Sequence, residues 1–350
     1  MMTVILFIII FGIVVLSHEF GHFLLAKMNG IRVVEFSVGM GPTICSFTRK
    51  ETKYAIRLLP IGGACMFEGE DGLESENGGG EGSFLKAGIW ARIATVAAGP
   101  IFNFILAFLV AVILVSFSAT DTTILSGVSV GSPAEAAGLT AGDKIVSIDG
   151  QKTYLFRDVY LLTLLNKGEA MKVVYKREGE TYSADILPVY NEESARYLLG
   201  IYGGIYEQAK GPAVFRDAWY EIRYNVIATY KSLGLLLSGQ FSRKDVAGPV
   251  GIAVNVVGAT YEASKEYGIR AIVLNMMNIV LLLSVNLGIL NLLPIPALDG
   301  GRLVFLFIEL IRRKPISPEK EGIVHFIGLV FFMVLMVVVL FNDLSNIFGR

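Results

Sequence analysis

Residues 18–22 read HEFGH, and they lie near the end of an apolar run that begins at Thr3. On a helix, this spacing places His18 and His22 on one face, where both imidazoles can bind a single zinc ion. Glu19 between them can then act as a base on water that the zinc activates. Charged side chains are costly inside a helix that crosses hydrocarbon, so their presence there indicates a function. Such a short pattern alone leaves a chance match open.

The composition is that of a membrane protein. Of the 350 residues, 53% are hydrophobic and only 17% are charged, and long uncharged runs recur along the chain. The formal net charge is −1 and the basic residues form no long stripe, so nothing indicates nucleic-acid binding. The first run lacks a basic leader and a small-residue cleavage site, which favours a retained span over a signal peptide. Cys45 and Cys65 have neither zinc-site nor disulfide spacing.

Four apolar segments predict a polytopic α-helical membrane protein with four transmembrane helices. We place these helices at residues 1–26, 91–118, 271–311 and 321–342. In the third of them, residues 291–301 read NLLPIPALDGG, and the two prolines predict a break in the helix. Irregular backbone at membrane depth is tolerated where it lines a cavity or is buried in protein.

The segments between the predicted spans differ in character. The loop at 27–90 contains a β-rich element at about 54–68, which we interpret as a membrane-associated hairpin turning at 60–63, and a glycine-rich linker at 76–83. Residues 122–190 are strand-rich with an Asp-Gly turn, and they resemble an inserted PDZ domain, a module that binds extended peptides at a sheet edge.

Residues 191–270 form a connector between that domain and the third span. Its hydrophobic residues recur near helical spacing, which predicts an amphipathic helix lying on the membrane or on the protein. For the GPVG stretch at 248–251 the sequence predicts only a turn.

The loop charges predict an orientation in the membrane. Basic residues at 312–314 and at 320 crowd the link between the third and fourth spans, so that link should be cytoplasmic. With four spans, both termini and the PDZ-like domain then lie outside the cytoplasm. His18 lies about 22 Å along its span at about 1.5 Å per residue, towards the cytoplasmic side. The first and third spans run in the same direction, which brings Asp299 to the depth of His18 and His22.

A catalytic zinc ion takes three protein ligands and leaves one position open for water. His18 and His22 supply two, and Asp299 is the best candidate for the third because it is a carboxylate beside a helix break at the same depth. His325, at the start of the fourth span, is an alternative, although a histidine there is more often interfacial. Glu19 is the candidate general base.

Taken together, these motifs resemble the site-2 protease family in its bacterial form with a single PDZ domain. The matching stretches are HEFGH, NLLPIPALDGG, residues 83–103, the PDZ-like region and GPVG, which extend over nearly the whole chain. The resemblance implies an intramembrane zinc endopeptidase that cleaves single-span transmembrane segments. It implies that His18, His22 and Asp299 bind one Zn²⁺ per chain and that Glu19 is the base, and it removes the chance-match interpretation of HEFGH.

The resemblance also implies where the protein acts and on what. The expected location is the bacterial cytoplasmic membrane, and the expected substrates are anti-sigma factors or remnant signal peptides. An upstream site-1-type protease clips these substrates first, and the PDZ domain then filters them. The element at 54–68 is expected to dip into the membrane and to pair with the substrate as an added strand.

Four residues are candidates for contacts with the substrate: Asn291, which the resemblance implies, and Pro294, Pro296 and Asn103. From the sequence alone, capping of the broken helix explains Asn291 equally well. Helix packing or an interhelical hydrogen bond explains Asn103 equally well.

Two hypotheses from other classes remain for comparison. Ionisable residues inside the membrane and a broken third span would suit a secondary transporter, although the chain has no repeated half. A non-catalytic PDZ adaptor would present membrane partners, although it would have no need for a complete set of zinc ligands.

Overall fold

The computed structural model describes residues 2–69, 80–239 and 247–348. They fold as two compact units, Met1–Val110 with Thr229–Arg350, and Ala111–Ala228. The first half of the predicted glycine-rich linker, residues 76–79, lies outside the described residues. The helices are α1 (Met2–Met28), α2 (Ile89–Phe117), α3 (Pro133–Ala136), α4 (Phe156–Leu164), α5 (Ala213–Leu237), α6 (Pro249–Gly251), α7 (Ala259–Ser264), α8 (Gly268–Leu292), α9 (Asp299–Arg312) and α10 (Pro318–Phe348). The strands are β1 (Val33–Arg49), β2 (Thr52–Phe67), β3 (Thr120–Val128), β4 (Lys144–Ile148), β5 (Gln151–Lys152), β6 (Met171–Arg177), β7 (Glu180–Ile186), β8 (Val189–Asn191), β9 (Arg196–Leu198) and β10 (Ile201–Glu207).

Four helical segments among the described residues are long and apolar enough to cross a membrane, which confirms the predicted number of spans. They are Met2–Met28, Ile89–Phe117, Pro249–Leu292 and Glu319–Asn346. The third begins well before the predicted residue 271, because GPVG opens a helical stretch instead of forming only a turn. This stretch runs through α6, a π-helical segment at Ile252–Gly258 and α7.

A buried carboxylate explains why a helix can begin at GPVG. Asp343 of α10 is 2% exposed, and it accepts hydrogen bonds from the backbone N–H groups of Gly248 (2.9 Å) and Gly251 (2.8 Å). The first N–H groups of a helix have no partner within the helix, and a negative charge there is favourable. We call these three residues the Asp343 clasp.

The third span is broken between α8 and α9. The chain leaves helical geometry at Leu293, and Pro294 and Pro296 occupy the irregular stretch before α9 begins at Asp299. Within this stretch Ala297 has a φ of 72°, and its N–H donates to Nδ1 of His325 on α10 at 3.0 Å. The break is thus held by a side chain from the last helix.

The loop after α1 forms more β structure than the sequence predicted. Residues 33–38 of β1 pair with 53–56 of β2 on one side and with 63–67 on the other, so the predicted 54–68 hairpin does not pair with itself. Alternating burial of Val33, Glu35 and Ser37 favours a strand in β1. Because Glu35 is charged, the sequence alone does not show this alternation. In the structure the Glu35 carboxylate is ion-paired to Lys53 and Arg57.

The second unit is built on an antiparallel sheet with the order β10-β3-β4-β6-β7, and β5 pairs with β4. This is the strand-rich domain for which the sequence predicted a PDZ fold, but its sheet extends past the predicted end at 190, because β10 pairs with β3. Asp143 is fully buried beneath the sheet. Although burial opposes its ionisation, its pKa is lowered by hydrogen bonds from Arg177 and from the backbone N–H of Thr140.

Helix α5, which forms part of the predicted amphipathic connector, buries one face in this unit. Arg157 at the start of α4 pairs with Asp121 of β3 and with Glu221 of α5. Burial raises the pKa of the Glu221 carboxyl, and the neighbouring Arg157 opposes that rise. Phe215 and Trp219 of α5 are exposed.

Candidate metal centre

The two histidines of HEFGH lie on the buried face of α1. This face also includes Val14, Val15 and Gly21, and both imidazoles are only 8% exposed. Gly21 lies against the backbone of Ala98 on α2, where a Cβ would overlap the carbonyl group. The missing side chain therefore allows the two helices to approach closely.

Asp299 meets both histidines although 277 residues separate it from His22 in the sequence. Its Oδ2 lies 3.1 Å from Nε2 of His18 and 3.4 Å from Nε2 of His22, and the two Nε2 atoms are 3.2 Å apart. Zinc with four tetrahedral bonds of about 2.0–2.1 Å separates its ligand atoms by about 3.3 Å. The triangle of these three atoms therefore has the size of one face of a zinc tetrahedron.

The chemistry of the three atoms also fits a cation. Nδ1 of His22 lies 2.9 Å from the carbonyl oxygen of Thr95, and because that oxygen can only accept, Nδ1 carries the ring proton. Nε2 of His22 then presents a lone pair towards Asp299, whose Oδ2 is buried without a hydrogen-bond partner among the described residues. Lone pairs brought together in a buried site need a positive ion between them. Among the described residues, His18, His22 and Asp299 form the one cluster able to bind a metal.

One face of α2 supports both histidines. Thr95, Gly99 and Asn103 are spaced by four residues, so they line one stripe of the helix. At the centre of the stripe, a Cβ on Gly99 would overlap the rings of His22 and His18. At its far end, Nδ2 of Asn103 lies 3.3 Å from Nδ1 of His18.

Helix α9 carries Asp299 into the site at its first residue. Gly300 and Gly301 follow, and a Cβ on either would overlap the backbone of the break at 292–296. The other end of α9 is fixed to the start of α2 by Glu309, which receives two hydrogen bonds from the buried Arg92, one of them at 3.0 Å. This pairing gives α9 a defined position relative to the histidines.

Glu19, the predicted base, is half-buried next to the candidate ligand His18. The second half of β2 passes directly over it, and a Cβ on Gly63 would lie 2.9 Å from Cγ of Glu19. The β element thus packs against the predicted base and close to the predicted metal site.

The remaining predicted residues lie in different surroundings. Nδ2 of Asn291 lies 3.3 Å from Nε2 of His18, and its side chain is half-buried. Pro294 is exposed, whereas Pro296 packs so closely on Gly328 of α10 that a Cβ there would overlap it. His325, the alternative ligand, bonds to Ala297 and is not part of the three-residue cluster.

Asn103, the fourth predicted substrate contact, lies at a buried position between two helices. Its side chain is 0% exposed, and its Nδ2 faces Nδ1 of His18 across the contact between α1 and α2.

Comparison with known proteins places this geometry in a family. The model of peptidase family M50 matches residues 6–335, a range that includes HEFGH, the helix break and Asp299. The chain belongs to peptidase family M50. As a member of this site-2 protease family, it is a zinc metalloendopeptidase and a bacterial membrane protein, and the transporter and adaptor hypotheses gain no support.

Two M50 relatives match along their full length. The regulator of sigma-W protease RasP of Bacillus subtilis is 35% identical, and the match covers 99% of each chain. The zinc metalloprotease RasP of Bacillus licheniformis is 34% identical, with 99% of this chain and 100% of the relative covered. Among solved structures, the PDZ domain of an SdrC-like protein from Listeria monocytogenes is 27% identical over 24% of this chain and 87% of its own, with a TM-score of 0.22.

Sequence reasoning missed three features of the site: the carbonyl of Thr95, the space at Gly99 and the Arg92–Glu309 pair. The four-residue spacing of Thr95, Gly99 and Asn103 would have identified one face of α2. No pattern in the sequence indicates that this face lies against HEFGH.

Proposed function

We propose that this M50 peptidase cleaves single-span transmembrane segments at a site made of His18, His22, Asp299 and Glu19, with one zinc ion per chain. The observation that carries the proposal is the triangle of Nε2, Nε2 and Oδ2 atoms, 3.1–3.4 Å on each side, at the end of a membrane-length helix. Three ligands leave a fourth position open, which is typical of catalytic zinc.

Each residue has a part in peptide hydrolysis. When bound, zinc acts as a Lewis acid that polarises a carbonyl group and lowers the pKa of water to about 7. Glu19 takes the proton from the attacking water and passes it to the departing amine. Asn291, half-buried beside His18, is placed to donate its amide N–H groups to the backbone of the substrate.

A substrate helix hides its peptide bonds in its own hydrogen bonds, so it must unwind before attack. The sheet of β1 and β2 has exposed edges that could pair with the unwound segment as an added strand. Because β2 runs over Glu19, such a strand would lie close to the base. Pro294, exposed in the helix break, is the neighbouring candidate for contact with the substrate.

The biological substrates that we propose are anti-sigma factors and remnant signal peptides, cut after an upstream protease has removed their outer part. The name of the Bacillus subtilis relative, regulator of sigma-W protease, supports the first class. In this proposal the PDZ domain lies outside the cytoplasm with both termini and filters the substrates, and the metal centre lies towards the cytoplasmic side.

The decisive experiment replaces Glu19 by Gln in the full-length protein. Gln keeps the size of the side chain but cannot accept a proton, so cleavage of a single-span substrate should fall by at least about 100-fold. The zinc content of the purified protein should stay at one ion per chain, because Glu19 is not a ligand. Cleavage is followed by the appearance of the shortened fragment, and zinc is measured by elemental analysis.

A matched control is Glu169→Gln, which makes the same change at an exposed site in the second unit and should leave cleavage unchanged. Undiminished cleavage by Glu19→Gln would refute the assigned base. Zinc-free native protein that still cleaves would refute the metal site.

A further inference from the structure

We propose that Asn103 is a positioning residue for the metal centre: its amide oxygen accepts the Nδ1 proton of His18 and so directs Nε2 towards the zinc. The inference rests on the proposed function and deepens it. It assigns Asn103 the role of orienting the His18 ring, instead of a contact with the substrate.

The first observation is an unmatched pair of polar atoms. Asn103 is 0% exposed, and its Nδ2 lies 3.3 Å from Nδ1 of His18, while its buried Oδ1 has no hydrogen-bond partner among the described residues. A histidine that binds metal through Nε2 carries its proton on Nδ1, which must then donate. Two donors facing each other make no hydrogen bond.

A half turn of the amide removes this conflict. The turn exchanges the positions of Oδ1 and Nδ2, which are nearly equal in size, and it places Oδ1 against Nδ1 of His18. The imidazole then has an acceptor and the buried oxygen gains a donor, so one hydrogen bond forms where there was none. Nδ2 moves to the position in which Oδ1 had no partner among the described residues. We therefore assign Oδ1 of Asn103 to the position that faces His18.

The second observation is that His22 has an equivalent partner on the same face of α2. Its Nδ1 lies 2.9 Å from the Thr95 carbonyl, two helical turns from Asn103. Along the two helices, His22 is paired with Thr95 and His18 with Asn103. The stripe of α2 therefore supplies one acceptor to each histidine ligand, and such partners fix both the tautomer and the orientation of the ring.

Asn291 is the competing partner for His18. Its Nδ2 lies 3.5 Å from Nδ1 but 3.3 Å from Nε2, and its side chain is half-buried, whereas that of Asn103 is fully buried. Asn291 thus lies nearer the metal-binding edge of the ring. Asn103 contacts the opposite edge, where the proton is.

The test measures zinc affinity of the purified full-length protein by competition with a chelator. Asn103→Leu keeps the approximate size and removes the acceptor, and zinc should bind about 10–100-fold more weakly. Asn103→Ala also removes the acceptor, but without adding an apolar branch, and it should show the same loss of zinc affinity. It provides a second variant if Asn103→Leu prevents folding. Asn103→Asp keeps an acceptor oxygen and should bind zinc at least as tightly as the native protein.

The control is Asn225→Leu, the same change at a buried asparagine in the second unit, which should leave zinc affinity unchanged. Native affinity in both Asn103→Leu and Asn103→Ala would overturn the inference, and so would an Asp variant as weak as these two. If the native protein itself binds no zinc, the proposed function fails. If the native protein binds zinc and the variants do not differ from it, only the role of Asn103 fails.

Discussion

At the scale of single residues, the absence of a side chain at Gly99 matters as much as the ligands themselves. Both imidazoles occupy the space where a Cβ on Gly99 would lie. Gly21 on α1 likewise has no side chain where it lies against the backbone of Ala98 on α2. The metal centre therefore needs small residues where α1 and α2 cross, because close helix approach in membranes depends on them.

The first prediction concerns this space. Gly99→Ala should push the ligands apart, lower zinc affinity by at least about 10-fold and cost about 1–3 kcal/mol through overpacking. Zinc affinity and thermal unfolding in detergent measure the two effects.

The control for this change is Gly12→Ala in α1, where a Cβ would meet nothing within 4 Å. Alanine favours a helix over glycine by up to about 1 kcal/mol, so this variant should be neutral or slightly more stable. Native zinc affinity in Gly99→Ala would show that the helices can separate at no cost.

At the scale of elements, α10 stands out because very little of it is covered. In its most apolar 18-residue stretch only 6% of the residues are buried, against 33–44% for the same measure in the other three candidate spans. Its polar attachments include the Asp343 clasp near one end. Near the other end, His325 accepts the hydrogen bond from Ala297, and Glu321 pairs with Arg302 of α9 at 3.8 Å. Since lipid supplies no hydrophobic driving force for helix association, interhelical polar contacts of this kind contribute to how specifically a helix docks.

The second prediction concerns the clasp. Asp343→Leu leaves two buried N–H groups without their acceptor, at about 1–3 kcal/mol for each, and should lower the midpoint of thermal unfolding. Asp343→Asn keeps one acceptor oxygen and should have a smaller effect.

Ser345→Leu provides the comparison, since Ser345 is exposed on the same helix and its replacement should be neutral. Equal midpoints for the native, Asn and Leu proteins would mean that the clasp contributes nothing to stability.

At the scale of the whole molecule, a strand-rich unit lies between α2 and the helices α8 and α9 in the order of the sequence. Its first unit is therefore made of two distant stretches, Met1–Val110 and Thr229–Arg350. HEFGH belongs to the first stretch and Asp299 to the second. The proposed metal site cannot form until both stretches are in place, so we expect zinc binding to depend on the folding of this unit.

The third prediction tests the proposed orientation with the two native cysteines. Cys45 and Cys65 lie in the loop between α1 and α2, and Cys45 is exposed. If this loop is cytoplasmic, a membrane-impermeant maleimide should label them only after the membrane is permeabilised.

The matched variant carries Cys45→Ser, Cys65→Ser and Glu192→Cys, which moves the thiol to an exposed site in the second unit. It should be labelled in intact cells. Labelling of the native cysteines from outside would reverse the assigned orientation.

The sequence by itself determined the features that depend on local periodicity or on membrane solvation. The four spans follow from their length and apolarity, and the candidate ligands His18 and His22 follow from their spacing on one helix. Asp299 followed from the depth that the loop charges assign to it. These inferences needed no knowledge of which helix packs against which.

Tertiary structure alone decided which faces meet. Thr95, Gly99 and Asn103 lie beside the two histidines only because one stripe of α2 packs against HEFGH. The sequence did not predict β1, because Glu35 is of a type usually found at the surface. Its burial follows from the ion pairs with Lys53 and Arg57. The GPVG stretch alone predicted a turn. In the structure a helix begins there, because Asp343, more than 90 residues later, accepts hydrogen bonds from the N–H groups of Gly248 and Gly251. Such contacts join residues distant in the chain, and their geometry is set by packing, which local sequence patterns do not encode.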